Sequence, residues 1–302
     1  MKKIIVSGGT GFFGINWYLK THKKYNNYLI ENKVKFKSRI KSAIKINLNQ
    51  RSSLEKSILK IKPEIFIHAA AKTNLDLSKN NCLKEQKKQI KISKNILEIC
   101  KKYQIFLIFI SSDQLYSGKK KIYNEQDKVK PLNWYAKYKI NSEKLILKYK
   151  RSTIIRTNFF GWAPCKRKSF SDFIIFNVNK KKIRLYDNIY YTPIFVNNLI
   201  SSIEKIIDKR IYGLFNISGN EKINKYQFGI RLANIFRLNK KNIYKSEYIQ
   251  EKIKIIRPYN MSLSNKKIFN HGIIIPSLDD QLKVMLTEFK KKYYKKIRYF
   301  FI

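Results

Sequence analysis

The stretch from Lys2 to Gly14 reads as a short apolar strand running straight into a glycine-rich turn, Ser7-Gly8-Gly9-Thr10-Gly11-Phe12-Phe13-Gly14. No other feature restricts the fold so tightly. A β-branched run, closely spaced glycines and then a helical stretch, Ile15–Thr21, spell a strand, a tight turn and a helix N-terminus. The N–H groups of such a turn and the positive end of the helix dipole make an anion site, and missing Cβ atoms let a phosphate approach the backbone. Two spacings can be counted: G-x-x-G-x-x-G from Gly8 and G-x-G-x-x-G from Gly9. The second is the standard dinucleotide fingerprint, and a turn that merely starts a helix is the structural alternative.

The pattern downstream alternates short β-branched runs with longer amphipathic segments. Strands are expected at Ile4–Val6, Tyr28–Ile30, Ala43–Leu48, Glu64–Ala70, Ile105–Ile110 and Ser152–Arg156. Helices are expected at Ser52–Ile61, Leu83–Tyr103 and Trp134–Lys150. Unbroken apolar strands such as Ile105–Ile110 imply a sheet covered on both faces, and the alternation implies an α/β chain with a doubly wound parallel sheet. Beyond Phe160 the pattern loosens into helices at Ser169–Lys180, Asn197–Ile207, Tyr226–Phe236 and Leu278–Lys291 and a strand at Leu214–Ile217. That suggests a smaller C-terminal α/β lobe that binds substrate. The division expected is residues 1–160 and 186–218 for the dinucleotide-binding domain, and 161–185 and 219–302 for the lobe.

Composition narrows the function classes. The 302 residues carry 65 Lys plus Arg against 20 Asp plus Glu, a formal net charge of +45. The cations are spread along the whole chain, with abundant Ile, Asn and Tyr, as A/T-rich codons would produce. The charge therefore reads as a solvated basic surface attractive to anionic nucleotides, not as a nucleic-acid-binding device. Cys82, Cys100 and Cys165 form no CxxC pair, and His22, His68 and His271 are scattered, so no metal site or disulfide framework is suggested and a reducing cytoplasm fits. The apolar run after Met1-Lys2-Lys3 is too short for a signal peptide, and no stretch reaches transmembrane length. The tail from Lys290 to Ile302, alternating Lys or Arg with Tyr and Phe, reads as a frayed basic terminus, with an anionic membrane surface as the alternative.

Chemistry is carried by elements that follow the glycine turn in order. His68-Ala69-Ala70-Ala71 closes an apolar strand, and small residues there let a cofactor lie against the backbone; His68 itself reads as a structural strand-end histidine. Ile110-Ser111-Ser112-Asp113 closes another strand. Tyr135 and Lys139 stand four apart, on one face of a helix. An ammonium beside a phenol is expected to lower its pKa from about 10 towards usefulness as a proton donor. Ser112 would then hold the oxygen of a carbonyl being reduced. A carboxylate after the second strand favours NAD and basic residues favour NADP; Glu31 is followed by Lys33, Lys35, Lys37 and Arg39, so the reading leans to NADP(H) with NAD(H) open.

These residues resemble those of the extended short-chain dehydrogenase/reductase superfamily, and within it the dTDP-4-dehydrorhamnose reductase group. The matching stretches are Gly8–Gly14, Pro63–Thr73, Ile110–Asp113, Pro131–Lys139, Ile155–Gly161, Tyr191-Thr192-Pro193 and Arg257-Pro258, covering residue 3 to about 288. The resemblance implies a Rossmann-type fold and Ser112, Tyr135 and Lys139 as catalytic residues. It implies cofactor contacts from Gly8, Thr10, Gly11, Phe12, Phe13, Gly14, Leu48, Ala69, Ala70, Ala71, Tyr135 and Lys139. Thr73, Ser112, Asn158, Phe159 and the Asp187–Pro193 segment, Thr192 included, would face the sugar or the nicotinamide. The departures are Gln89 where Asn is usual, Ile92 where Gly is usual, and Asn47 in place of an acidic residue.

The activity so implied is reduction of the 4-keto group of a nucleotide-activated deoxysugar, with a nucleotide sugar as partner and a homodimer admitted. The alternatives are an NADP-binding regulatory subunit like the beta subunit of methionine adenosyltransferase, or a sugar-nucleotide epimerase. Asp113-Gln114, where a dehydratase would show Asp-Glu, argues against dehydration.

Overall fold

The computed structural model describes residues 1–31, 35–36, 40, 42–72, 79–164, 169–250 and 256–299. Its first half is β1 (Lys3–Ser7), α1 (Phe12–Thr21), β2 (Asn26–Glu31), β3 (Ala43–Lys45), α2 (Arg51–Ile61), β4 (Ile65–His68), α3 (Lys79–Lys102), β5 (Phe106–Ile110), α4 (Trp134–Ile146) and β6 (Ser152–Arg156). The second half holds β7 (Phe159–Phe160), α5 (Phe170–Asn177), β8 (Ile183–Tyr186), β9 (Tyr190–Tyr191), β10 (Ile194–Phe195), α6 (Val196–Lys209), β11 (Gly213–Asn216), β12 (Ile223–Asn224), α7 (Lys225–Phe236), β13 (Ile243–Ser246), α8 (Lys266–Phe269), α9 (Leu278–Lys290) and α10 (Tyr293–Tyr299).

Seven strands form one parallel sheet in the order β11-β6-β5-β4-β1-β2-β3. The doubly wound parallel sheet expected from the alternation is therefore present. Successive side chains leave opposite faces, so each strand feeds two cores. Ile4, Val6, Ile65, Ile67 and Ile108 join an apolar cluster with α1 and α6, whereas Ile5, Phe66, Leu107 and Phe109 join one with α2 and α3. The chain winds to one side of β1 for β2 and β3 and to the other for β4 onward. The crevice beyond the carboxyl ends of β1 and β4 is therefore the switch point where such sheets bind ligands.

Element ends differ from the sequence reading in instructive ways. β3 stops at Lys45 and β4 at His68, short of the expected Leu48 and Ala70. α4 ends at Ile146, four residues early, where Ser152 Oγ donates to the Ile146 and Tyr149 carbonyls and turns the chain into β6. The short strands β7 to β10, β12 and β13 carry no periodicity of their own. β8 and β13 pair in parallel although Ile183 and Ile243 lie far apart in the chain.

The tail is a correction. Over its described residues, up to Tyr299, it does not fray: α10 folds back, Ile297 is fully buried, and Tyr294 packs on Trp162 and Phe289 with ring centroids 5.7 and 5.3 Å away. Alternating aromatic and basic residues bury one face against the core while Arg298 covers the Phe176 ring at 4.4 Å. Among the described residues, no helix is long and apolar enough to cross a membrane.

Candidate active site

The glycine turn is built around one carbonyl. Gly8 has φ +76°, and Gly11 N–H donates to Gly8 O at 2.9 Å. A Cβ at Gly14 would meet Gly8 O at 2.4 Å, one at Gly11 would meet it at 3.0 Å, and one at Gly8 would meet Ala70 N at 2.9 Å. A Cβ at Gly14 would also meet Gly9 Cα at 2.6 Å, and one at Gly9 would meet Leu29 Cβ at 2.6 Å, so the members of both spacings are closely packed. α1 begins at Gly11 with no side-chain cap, unlike α4, α5 and α7, which Asn133, Ser169 and Asn224 cap. Its first N–H groups therefore face the crevice with the helix dipole behind them. Ala69, Ala70 and Ala71 lie across from the turn, half-buried, and Ala70 N–H donates to Ser7 Oγ at 3.2 Å.

His68 is structural, as its strand-end position suggests. Ser93 gives its proton to the Gln89 carbonyl and so accepts from His68 Nε2–H at 3.3 Å, which leaves Nδ1 to accept from Ser7 Oγ at 2.8 Å. Ser142 of α4 closes the chain by donating to Ser93 at 2.9 Å. Burial, with Lys139 nearby, pushes the His68 pKa down to about 3, so the ring is neutral and locks β1, β4, α3 and α4 together.

α4 presents the Tyr-Lys pair. Asn133 Oδ1 caps it through Ala136 N–H at 2.9 Å, and Arg156 of β6 grips Glu143 through its Nε and Nη2, the closest contact 2.6 Å, while donating to Tyr116 Oη at 2.7 Å. This buried pair fixes the helix's rotation over the sheet. Lys139 Nζ donates to the Ile110 carbonyl at 2.6 Å and lies 5.9 Å from the Tyr135 ring centre. Ser112, two residues past that carbonyl, neighbours the Tyr135 hydroxyl. Ser112, Tyr135 and Lys139 are thus brought together at the carboxyl end of β5.

The electrostatics depart from expectation. Tyr135 is surrounded densely enough that burial pushes its phenol up to about 12, with Ser112 opposing and Asp113 adding to the rise. Lys139 does not bring it down, because burial holds the ammonium itself at about 7 and its nearest partner is the Ile110 carbonyl. A phenol at about 12 keeps its proton throughout the neutral range, which suits a proton donor and not a base.

The other residues singled out by sequence fall in three groups. Phe12 and Phe13 meet Phe159, with ring centroids 5.0 and 6.3 Å apart, so the turn and β7 share an aromatic wall. Leu48 has its side chain in the core and its carbonyl held by Asn95; Thr192 is buried, its hydroxyl accepting from Leu263 N–H at 3.0 Å. Thr10 is half-buried in the turn. Thr73, Cys165 and, of the residues bearing on cofactor choice, Lys33, Lys37 and Arg39 lie outside the described residues.

Two groups in the cleft carry no such prior reading. Asp113 is buried, accepts from Ser112 Oγ at 3.3 Å and from Asn158 Nδ2 at 2.5 Å, and burial raises its pKa. Lys225, at the start of α7, sits with Nζ 3.4 Å from the Tyr191 ring centre; burial lowers its pKa and Asp113 opposes. Adjacency to Ser112 was the available signal for Asp113. The general lysine excess hid Lys225.

Comparison with known proteins identifies the class. The family model described as RmlD substrate binding domain matches residues 1–291, and the chain belongs to this family, within the extended short-chain dehydrogenase/reductase fold. It is similar to the beta subunit of methionine adenosyltransferase 2 of Bos taurus, 24% identical over 246 residues covering 78% of this chain and 73% of that one. A hypothetical dTDP-4-dehydrorhamnose reductase from Sulfolobus tokodaii is 25% identical, with a TM-score of 0.77 over 89% of this chain and 94% of its own. The dTDP-4-dehydrorhamnose reductase of Bacillus anthracis, solved in complex with NADP, has a TM-score of 0.84 at 19% identity, over 95% and 100%.

Proposed function

We propose that the chain is an NAD(P)H-dependent reductase of the 4-keto group of a nucleotide-linked deoxysugar. The observation that supports this most is the meeting of Ser112, Tyr135 and Lys139 at one strand end, across the switch-point crevice from an uncapped glycine turn. The turn fits a dinucleotide: a Cβ at Gly8 or Gly14 would collide with backbone, and the opposing residues are alanines. Gly8, Thr10, Gly11, Phe12, Phe13, Gly14 and Ala69–Ala71 would hold it, with Leu48 contributing backbone near the adenine. Bound there, a nicotinamide dinucleotide supplies hydride to the carbonyl carbon; the reading leans to NADP.

The chain's own residues do the rest. Ser112 turns the hydroxyl that it gives to Asp113 towards the carbonyl oxygen when substrate binds, and orients it. Tyr135, protonated throughout the neutral range, gives that oxygen its proton. Lys139, anchored on the Ile110 carbonyl, holds α4 against the end of β5 and so sets the position of Tyr135. Asn158 and Phe159 border the space the sugar enters.

The test is Tyr135→Phe, followed through NADPH absorbance with a panel of 4-keto nucleotide sugars. Turnover should fall at least about a hundredfold while NADPH binding is retained, and undiminished turnover rejects the assigned acid. The name of the bovine relative supports a second reading, a dinucleotide-binding regulatory subunit. Cofactor binding by the wild-type chain without turnover of any 4-keto sugar would favour it.

A further inference from the structure

Lys139 is a buried ammonium with no carboxylate to answer it. Among the described residues it forms no ion pair, and Glu143, the carboxylate whose charge acts on it, is committed to Arg156. One of its three N–H groups goes to the Ile110 carbonyl at 2.6 Å. A buried charge without a counterpart is expensive, so something else must offset it. Three aromatic rings stand round it. Nζ lies 4.5 Å from the ring centre of Phe109, 5.4 Å from that of Tyr138 and 5.9 Å from that of Tyr135. All three fall within the range of about 6 Å over which a ring face attracts a cation, and the attraction is strongest where water is excluded.

The two rings other than Tyr135 come from different elements. Phe109, next to last in β5, is fully buried and packs on His68 with ring centres 5.3 Å apart. Tyr138, three residues beyond Tyr135 on α4, stacks on Trp134 at 6.0 Å and stands edge-on to Tyr135 at 5.4 Å. Its hydroxyl is buried without a hydrogen-bond partner, and burial keeps the phenol protonated. A buried hydroxyl left unpaired costs stability, so the ring and not the hydroxyl accounts for the position. A ring face also attracts the charge without offering Nζ an acceptor to rival Ile110. We infer that Phe109 and Tyr138 are positioning residues, an aromatic cage that holds the Lys139 ammonium where a carboxylate would otherwise be needed and keeps it on the Ile110 carbonyl beside Tyr135. This deepens the reductase reading, on which the part played by Tyr135 rests, and adds two residues that act through Lys139.

The test changes the ring faces and leaves their shape. Lys139 is followed by carbon-13 NMR in the full chain labelled at lysine Cε. Its resonance is the one missing from Lys139→Met, and with its ammonium at about 7 it titrates well below the ordinary lysine range. Wild type is compared with Tyr138→Phe and with chains carrying a trifluorinated phenylalanine at position 138 or at position 109, with far-ultraviolet circular dichroism as the control for folding. Fluorine draws electron density out of the ring face and barely changes the size of the ring. Tyr138→Phe should leave the Lys139 midpoint within about 0.2 of wild type, since only the unpaired hydroxyl is lost. The fluorinated ring should lower the proton affinity of Lys139 at least about twofold at position 138, and at least as much at position 109, where the ring is nearer. A midpoint indifferent to fluorine at both positions, or one that Tyr138→Phe moves as far as the fluorinated ring does, overturns the inference. The titration is read without substrate, so if it behaves as described but no 4-keto sugar is reduced, the reductase reading fails and the cage stands.

Discussion

Single residues in the cleft hold protonation states that burial, not charge pairing, decides. Lys139 is the sharpest case, with its ammonium at about 7 against 10.5 when free. Between those values the unfolded chain binds the proton and the folded chain does not, so stability rises with pH across that window, and the cost of the buried charge is fully present below about pH 7. Lys139→Met should remove this slope while abolishing turnover. From about pH 6 to about pH 9 the wild type should gain about 2–3 kcal/mol more than the variant in denaturant unfolding, and equal gains would reject the buried-ammonium account. The same residue therefore destabilises the fold at neutral pH and serves the site, a familiar division between stability and function.

Among the elements, α4 positions the chemistry, and it is held where it is by polar contacts. Its amino end is fixed by Asn133, whose Nδ2 also donates to the Ile256 carbonyl at 3.1 Å; its middle by Ser142 on Ser93; and its far end by Glu143 on Arg156. Both members of that ion pair are buried, so Glu143→Gln would leave the guanidinium without its countercharge. We expect a loss of about 3–5 kcal/mol in chemical unfolding, and a loss below about 1 kcal/mol would show that α4 is anchored elsewhere. The periodicity of Trp134–Lys150 marked this helix but not its rotation, which depends on Arg156, a residue of β6 packed against it.

Over the whole molecule the excess of cations sets a repulsion that no local contact removes. With a net charge of +45, self-repulsion favours expansion and is felt over about 30 Å at 10 mM salt but only about 8 Å at 150 mM. The thermal midpoint should therefore rise by at least about 2 °C as sodium chloride is raised between those concentrations, and a flat or falling midpoint would mean that the surface charge is already paired. The ion pairs Lys24–Asp208, Arg51–Glu98 and Lys120–Asp127 are all exposed on their basic side and use up acidic residues that are scarce. The excess that remains keeps the surface as a whole basic.

The sequence by itself determined the sheet, the turn and the shared face of Tyr135 and Lys139, because these are local. Ile4–Val6 and Ile105–Ile110 are apolar runs that only a covered parallel strand satisfies, and Gly8 with Gly14 is needed within a few residues of where it acts. Tyr135 and Lys139 share a face by helical spacing alone. Tertiary structure decided whatever depends on who is buried beside whom. It made glycines of both spacings necessary, because Gly14 packs on the Gly8 carbonyl and on Gly9 while Leu29 closes over Gly9. It raised the Tyr135 phenol that sequence logic had lowered, since burial outweighs a lysine whose proton is committed to Ile110. It folded the tail onto Trp162 and set the Lys225 ammonium over the Tyr191 ring, contacts that leave no periodic trace.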